Sequence, residues 1–269
     1  MTTLRDRLLT STVLRALKLP IQRGLRRVGY ELAPINVGHS ELVQGLLARH
    51  AIDLLVDVGA NQGQFAQEFR DQGYTGSMSS FEPMEAAFGL LQKVAASDPL
   101  WTVTKSALGD KAGEARLGVA ANSVSSSLLP ITAAHVEAES ASRTTGHEIV
   151  TVTTLDAQLR DVKGDALWLK LDVQGYEHQV LLGATETLGR TEVVQCEMSF
   201  RELYAGQTHY LDLLQFLDAA GFLPVSVVPG LTHPVTGEAM QCDLLYARSK
   251  ARNRGQATST DQAVPASLP

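Results

Sequence analysis

Leu54-Leu55-Val56-Asp57-Val58-Gly59-Ala60-Asn61-Gln62-Gly63-Gln64-Phe65 reads as an apolar strand that runs into a tight turn and then a helix. Glycines at 59 and 63 let the backbone approach a ligand closely, and the start of the next helix offers N–H groups with no intrahelical partner. In a doubly wound sheet this arrangement puts a nucleotide-type cofactor at the carboxyl end of the first strand. A dinucleotide site would need G-x-G-x-x-G, whereas Asn61 stands two positions after Gly59, so NAD is disfavoured. Asp57 near the strand end suits a ligand that carries an ammonium group and no phosphate. One strand later, Phe81-Glu82-Pro83 supplies a second acid, and a carboxylate there can accept both hydroxyls of an adenosine ribose. An acid, a glycine turn and a second acid on consecutive strands match the needs of S-adenosylmethionine (SAM), a sulfonium with an amino-acid tail, a ribose and an adenine.

Outward from this stretch, strand and helix signals alternate, the pattern of a parallel sheet with crossover helices. Strands are expected at Asp53–Val58, Ser77–Phe81, Trp101–Thr104, Ala166–Leu171, Glu192–Met198, Phe222–Val228 and Cys242–Ala247. Helices are expected at Gly63–Asp71, Met84–Ala96, Glu177–Gly183 and Tyr210–Ala220. The last two strands, separated by turn chemistry over Pro229–Gly237, fit an antiparallel hairpin at one edge of the sheet. Between Gly113 and Thr154 the signal weakens. Ala115–Val119 and Ile149–Thr153 look like strands, and the Ser-rich run Ser123–Ser127 with the polar sequence after it looks like a long insertion.

Further motifs are Ala107-Leu108-Gly109-Asp110, Asn122-Ser123-Val124-Ser125-Ser126-Ser127-Leu128, Thr154-Leu155-Asp156, Leu169-Lys170-Leu171-Asp172-Val173-Gln174-Gly175-Tyr176-Glu177 and Gln195-Cys196-Glu197. With Asp57–Gly63 and Phe81–Pro83, they make residues 50 to 247 resemble the FkbM-type methyltransferases, SAM-dependent enzymes that mostly methylate hydroxyl groups. The resemblance implies an α/β fold with a Rossmann-like seven-stranded class I methyltransferase sheet and helices on both faces. It implies that Asp57, Gly59, Asn61 and Gly63 line the methionine part of SAM. Glu82, with Pro83 beside it, would hold the ribose, and Ala107 to Asp110 would flank the adenine.

Methyl transfer to an oxygen needs an acceptor held in line with the methyl carbon and a group that removes its proton. Asp172, ending the strand Ala166–Leu171, is the first candidate for the base or for a carboxylate that positions the acceptor; capping the following helix is its alternative role. Glu197, at the end of the next strand, is the second candidate. Two carboxylates on adjacent strand ends could share a proton or bind a divalent cation such as magnesium, which would then lower the pKa of the acceptor hydroxyl. His209 and His178 begin helices at the same sheet end, and His209 is kept as a catalytic candidate. The Asn122–Leu128 run could contact a polyhydroxylated acceptor, and Asp243 is expected to point inward.

The chain has 269 residues, 44% hydrophobic and 19% charged, with a net charge of -6, so no global basic field draws polyanions and nucleic acid is not expected as a partner. Two cysteines, Cys196 and Cys242, exclude a disulfide scaffold and a cysteine zinc site, and read as buried hydrophobes. Residues 1–30 hold seven basic residues and one acid. With leucines at helical spacing and Pro20 dividing them, residues 1–39 read as a basic amphipathic arm. The arm either packs on its own domain or a second subunit of a homo-oligomer, or touches an anionic membrane surface peripherally. Residues 40–248 are the expected methyltransferase domain and 249–269 a disordered tail. With no membrane-length apolar run and no signal peptide, a cytoplasmic protein is expected, peripheral at the inner membrane surface if the arm binds lipid. The leading reading is an O-methyltransferase acting on a sugar hydroxyl of a glycolipid or glycosylated natural product, a small-molecule or lipid-linked acceptor. Its rivals are a polyketide, macrolide or amine acceptor, and a non-catalytic SAM-binding scaffold.

Overall fold

The computed structural model describes residues 37–249. Residues 1–36 of the arm expected at 1–39, and residues 250–269 of the tail expected at 249–269, lie outside the described residues. By its contacts the chain divides into two units, residues 1–45 and residues 46–269. Helix α1 (Val37–Arg49) starts in the first and ends in the second. All other elements of the described residues belong to the second unit.

Strand β1 (Leu54–Val58) has all five residues buried. Such a run needs cover on both faces of the sheet, which helical crossovers between parallel strands provide. The other strands of its sheet are β2 (Ser77–Phe81), β3 (Trp101–Thr104), β7 (Leu167–Leu171), β8 (Thr191–Ser199), β9 (Phe222–Pro229) and β10 (Gln241–Arg248). The order across the sheet is β3-β2-β1-β7-β8-β10-β9. The first five of these are mutually parallel, while β10 runs antiparallel to both β8 and β9. The expected edge hairpin is therefore present, with β9 outermost. The reversal between β1 and β7, where strand order changes direction, is where ligands bind in open α/β sheets.

Strand registers place Val56 beside Leu169, and Leu171 beside both Val58 and Cys196. All five belong to one continuous core with Leu213, Leu217 and Phe222. Both cysteines are buried free thiols, as their apolar surroundings suggested. On the opposite face of β1, helix α2 (Gln64–Asp71) packs Phe69 edge-on against Trp168, ring centroids 5.1 Å apart. Helix α2 starts one residue later than expected because Gly63 is its cap, at φ 91°. A Cβ at Gly63 would come within 2.9 Å of both the Leu91 and Trp101 side chains, so both backbone conformation and space exclude a larger residue.

The strands expected at Ala115–Val119 and Ile149–Thr153 are present, longer than expected, and form a second, three-stranded sheet, with the Ser-rich run in the connection between them. The order of that sheet is β4 (Ala107–Leu108), β6 (Thr144–Thr153), β5 (Gly113–Ala120). Only the last part of β6 shows buried alternation, at Val150 and Val152, which pack with Leu117, Met84 and Ala87. The first half of β6 is polar or exposed on both faces, so it carries no hydrophobic period to read. Helices α3 (Glu85–Ala95), α6 (Glu177–Leu182) and α8 (Tyr210–Ala219) match the expected segments to within one or two residues. Helices α4 (Ala133–Ala138), α5 (Leu155–Leu159) and α7 (Thr185–Arg190) were not expected. At five or six residues each they are too short to show a helical period. Among the described residues no helix is long and apolar enough to cross a membrane.

Replacing Gly63 by alanine is expected to lower the unfolding free energy by about 2 kcal/mol, from left-handed strain and the forced contact with Trp101. Urea unfolding followed by tryptophan fluorescence measures this directly.

Candidate functional site

The carboxyl ends of β1, β2 and β7 meet the second sheet around a pocket. Its polar wall holds Asn61, Glu82, Asp172 and Gln174, with hydroxyls from Ser123 and Ser126. Its apolar wall includes Met84, Leu108, Leu117, Leu128 and Tyr176. A second cleft shares Gly59, Asn61, Val124 and Asp172 with the first, and extends over Phe65, Lys170 and Asp243.

Glu82 is buried, and its two oxygens accept backbone N–H bonds from Asn61 at 2.8 Å and from Met84 at 2.9 Å. The carboxylate is thereby held still in the pocket wall, and each oxygen keeps a free lone pair. Burial pushes its pKa up to about 7, against the two N–H bonds that pull it down. Gly59 sits at φ 77°, and a Cβ there would lie 1.9 Å from the carbonyl oxygen of Asp172. The turn after β1 can therefore press against the end of β7 only with glycine at this place. Asn61 also adopts a left-handed φ, 46°, and its buried Oδ1 has no hydrogen-bond partner. Its Nδ2 reaches Ser123 Oγ at 3.5 Å, which links the turn after β1 to the Ser-rich loop.

Asp57 does not line either pocket. It is 1% exposed and forms an ion pair with Lys170, Nζ to Oδ1 at 3.1 Å, its direct neighbour in the β1–β7 register. Burial raises the Asp57 pKa in spite of that cation. Lys170 Nζ also lies 3.3 Å from Asp172 Oδ2 and donates to the carbonyl oxygen of Gly59 at 3.2 Å. Burial lowers the Lys170 pKa, but the charges of Asp172 and Asp57 together outweigh it and leave the ammonium above its ordinary range. A lysine inside the apolar strand Leu-Trp-Leu-Lys-Leu was a readable signal, because a buried cation needs a carboxylate partner.

Asp172, with its side chain 39% exposed, is the carboxylate common to both pockets. Gln174 Nε2 donates to Asp172 Oδ1 at 2.6 Å and to Glu197 Oε2 at 3.0 Å. Gln241 Nε2 donates to the same Glu197 oxygen at 2.9 Å. The suggestion that magnesium bridges Asp172 and Glu197 is thus corrected: an amide occupies the position between them. Among the described residues no group of three or more His, Cys, Asp or Glu could hold a metal ion. Burial and the neighbouring Asp172 charge push the Glu197 carboxyl well above the usual range. Glu197 lines neither pocket.

Pro83 and Ala107 line the first pocket, whereas Gly63 and the exposed Asp110 do not. His209 is the exposed N-terminal cap of α8, its ring 4.6 Å from that of Tyr210, and His178 packs edge-on against Phe216. Neither histidine is in a pocket wall. Glu177 braces the turn after β7, its Oε1 accepting N–H bonds from Val173 and Gly175 at 3.1 Å each. Sequence reasoning quoted Gln174 and Tyr176 within the Leu169–Glu177 motif without giving either a role, and did not single out Tyr204. Their positions come from the β7–α6 turn and a loop after β8, which carry no periodic signal.

The FkbM methyltransferase domain model matches residues 57–224, from the end of β1 to the start of β9. The chain belongs to the FkbM methyltransferase family. No curated protein matches it. Among solved structures, magnesium protoporphyrin IX methyltransferase from Synechocystis, with bound SAM, is similar at 14% identity and a TM-score of 0.41 over 88% of this chain and 96% of that one. A TehB-like SAM-dependent methyltransferase from Corynebacterium glutamicum is similar at 11% identity and a TM-score of 0.41, over 89% and 100% of the two chains. For an FkbM chain the cofactor to test against the pocket is SAM, and the residues present fit it. Glu82 offers a fixed acceptor for a diol, the walls near Leu108 and Tyr176 are apolar enough for a purine, and the turn at Gly59 is bare of side chain beside an orphaned amide oxygen on Asn61.

Lys170→Ala is expected to destabilise the fold by about 3–5 kcal/mol, because Asp57 would be left as a buried carboxylate without its cation. The double variant Asp57→Asn, Lys170→Met should recover most of that loss, and chemical denaturation of the three proteins tests it.

Proposed function

We propose that this FkbM-family chain is a SAM-dependent O-methyltransferase whose acceptor is a sugar hydroxyl in a glycolipid or glycosylated natural product. The observation that carries the reading is the position of Asp172, a half-exposed carboxylate shared by the two pockets, between the Glu82 wall and the cleft over Phe65. Bound SAM supplies an electrophilic methyl group on a sulfonium. In this reading Glu82 accepts from the ribose hydroxyls, Leu108 and Tyr176 flank the adenine, and the turn at Gly59 and Asn61 faces the sulfonium end. Asp57 acts one step removed, by fixing Lys170 and so the floor under Asp172.

The remaining work is proton removal and orientation. Asp172 accepts the proton of the acceptor hydroxyl at a carboxylate oxygen while Gln174 and Lys170 keep that carboxylate in place. A positioned base contributes about 10²–10⁴-fold to such a step. The hydroxyls of Ser123 and Ser126 in the first pocket's wall suit a polyhydroxylated acceptor better than an apolar one.

Asp172→Asn is expected to lower labelled-methyl transfer to glycolipid and glycoside acceptors by about a hundredfold or more while SAM affinity stays near wild type. A normal rate would move the base elsewhere. Glu82 provides a pH test. Its folded pKa of about 7 lies above the ordinary 4.5, so its contribution to stability is complete below about pH 4.5 and is lost as pH rises through 7. Ribose hydroxyls donate to the ionised form, so SAM affinity should rise with pH toward 7, by at most about tenfold per unit, and level off above it. Calorimetric titration between pH 5.5 and 8.5 reads this, and Glu82→Gln should bind weakly with a flat profile.

A further inference from the structure

Gln174 occupies an unusual place for a residue with a long side chain. Its φ is 58°, in the left-handed region that such residues seldom adopt. Its carbonyl oxygen accepts from Ser127 Oγ at 2.6 Å, which ties the turn to the Ser-rich loop. Its side-chain oxygen Oε1 accepts from the hydroxyl of Tyr204, a residue with no solvent exposure. With Oε1 so engaged, both N–H bonds of Nε2 face the carboxylates of Asp172 and Glu197. The opposite amide orientation would set an oxygen against two carboxylates and leave the Tyr204 hydroxyl facing an NH₂ group. One orientation is therefore selected by the two carboxylates, and the Tyr204 hydroxyl, which also lies 3.3 Å from the carbonyl oxygen of Ser125, is compatible with it.

We propose that Gln174 is a positioning residue for methyl transfer: its amide ties the Asp172 carboxylate to Glu197 and so fixes where Asp172 points in the pocket. The proposal rests on Asp172 being the base. Glu197 serves as the anchor rather than as a second base. It lies off the pocket, and two amides, from Gln174 and Gln241, converge on its Oε2. The groups that face Glu197 are Asp172 and Lys170 from the β7 side, Glu177 on α6, Asp243 and Cys242 on β10, Cys196 beside it on β8, and the Tyr204 hydroxyl. Acids outnumber the single cation, and Lys170 spends its charge on Asp57 and Asp172. Without the amide, Asp172 would face Glu197 with only Lys170 to hold it, and its side chain would be free to take other rotamers.

The test uses the full chain and does not need an acceptor. Three-bond couplings report the Asp172 χ1 rotamer, and carboxyl-detected NMR follows the Glu197 titration, with Asp172→Asn and Glu197→Gln spectra for assignment. In the wild type a single Asp172 rotamer is expected. Gln174→Leu should average the Asp172 rotamers and raise the Glu197 midpoint by about one pH unit, because a donor to the ionised form is gone. Gln174→Met keeps the length of the side chain but removes the donor, and should produce the same two changes. A side chain that served only to fill space would be replaced without effect by Met. Should Gln174→Leu fail to fold, Gln174→Met carries the test. An unchanged Asp172 rotamer and Glu197 midpoint in the folded variants would overturn the proposal. The base assignment fails separately, through normal methyl transfer by Asp172→Asn, so the two failures are distinguishable.

Discussion

The site depends on one buried cation. Lys170 stands in the central strand of the sheet, 8% exposed, and reaches Asp57 on one side and Asp172 on the other. Removing that many charges from water costs more than any one contact returns, so the arrangement persists only if the geometry is complete. Strand register supplies it: Asp57 and Lys170 are direct partners between β1 and β7, and Asp172 follows on the same face two residues on. The cation also reaches the Gly59 carbonyl, which ties the ionic centre to the turn after β1.

From this centre the polar network spreads across the sheet. Asp172 connects through Gln174 to Glu197, and Glu197 to Gln241 on the antiparallel strand β10. Fully hydrogen-bonded networks of this kind specify a single arrangement more strongly than an apolar surface does. The opposite face of the same strands is an apolar core, with Val56, Leu169 and Val194 in adjacent positions. Period-two alternation thus divides the sheet into a face that holds the protein together and a face that holds charges in place.

Much of this was legible in the sequence. The β1 stretch and the acid of Glu82 located the pocket because tight turns and strand-end acids are local features. Asp57 was placed correctly on its strand but could not be assigned a partner, since the pairing with Lys170 joins residues far apart in the chain. Two strands of the second sheet were legible, but the first half of β6 and all of β4 were not: β6 is largely polar where it starts, and β4 is two residues long. Gln174 and Tyr204 lie in turns whose conformation follows from tertiary contacts, so no periodicity marked them.

The antiparallel placement of β10 has a consequence for how the molecule is assembled. Gln241, the first residue of β10, completes the bonding of Glu197, while Asp57 at the opposite end of the network belongs to the first strand of the sheet to be synthesised. The polar centre therefore spans nearly the whole length of the domain in sequence and closes only when its last strand inserts between β8 and β9. A chain emerging from the ribosome carries the turn after β1 early but lacks the final amide until β10 has left the exit tunnel. Closure of the polar centre is tied in this way to the synthesis of β10.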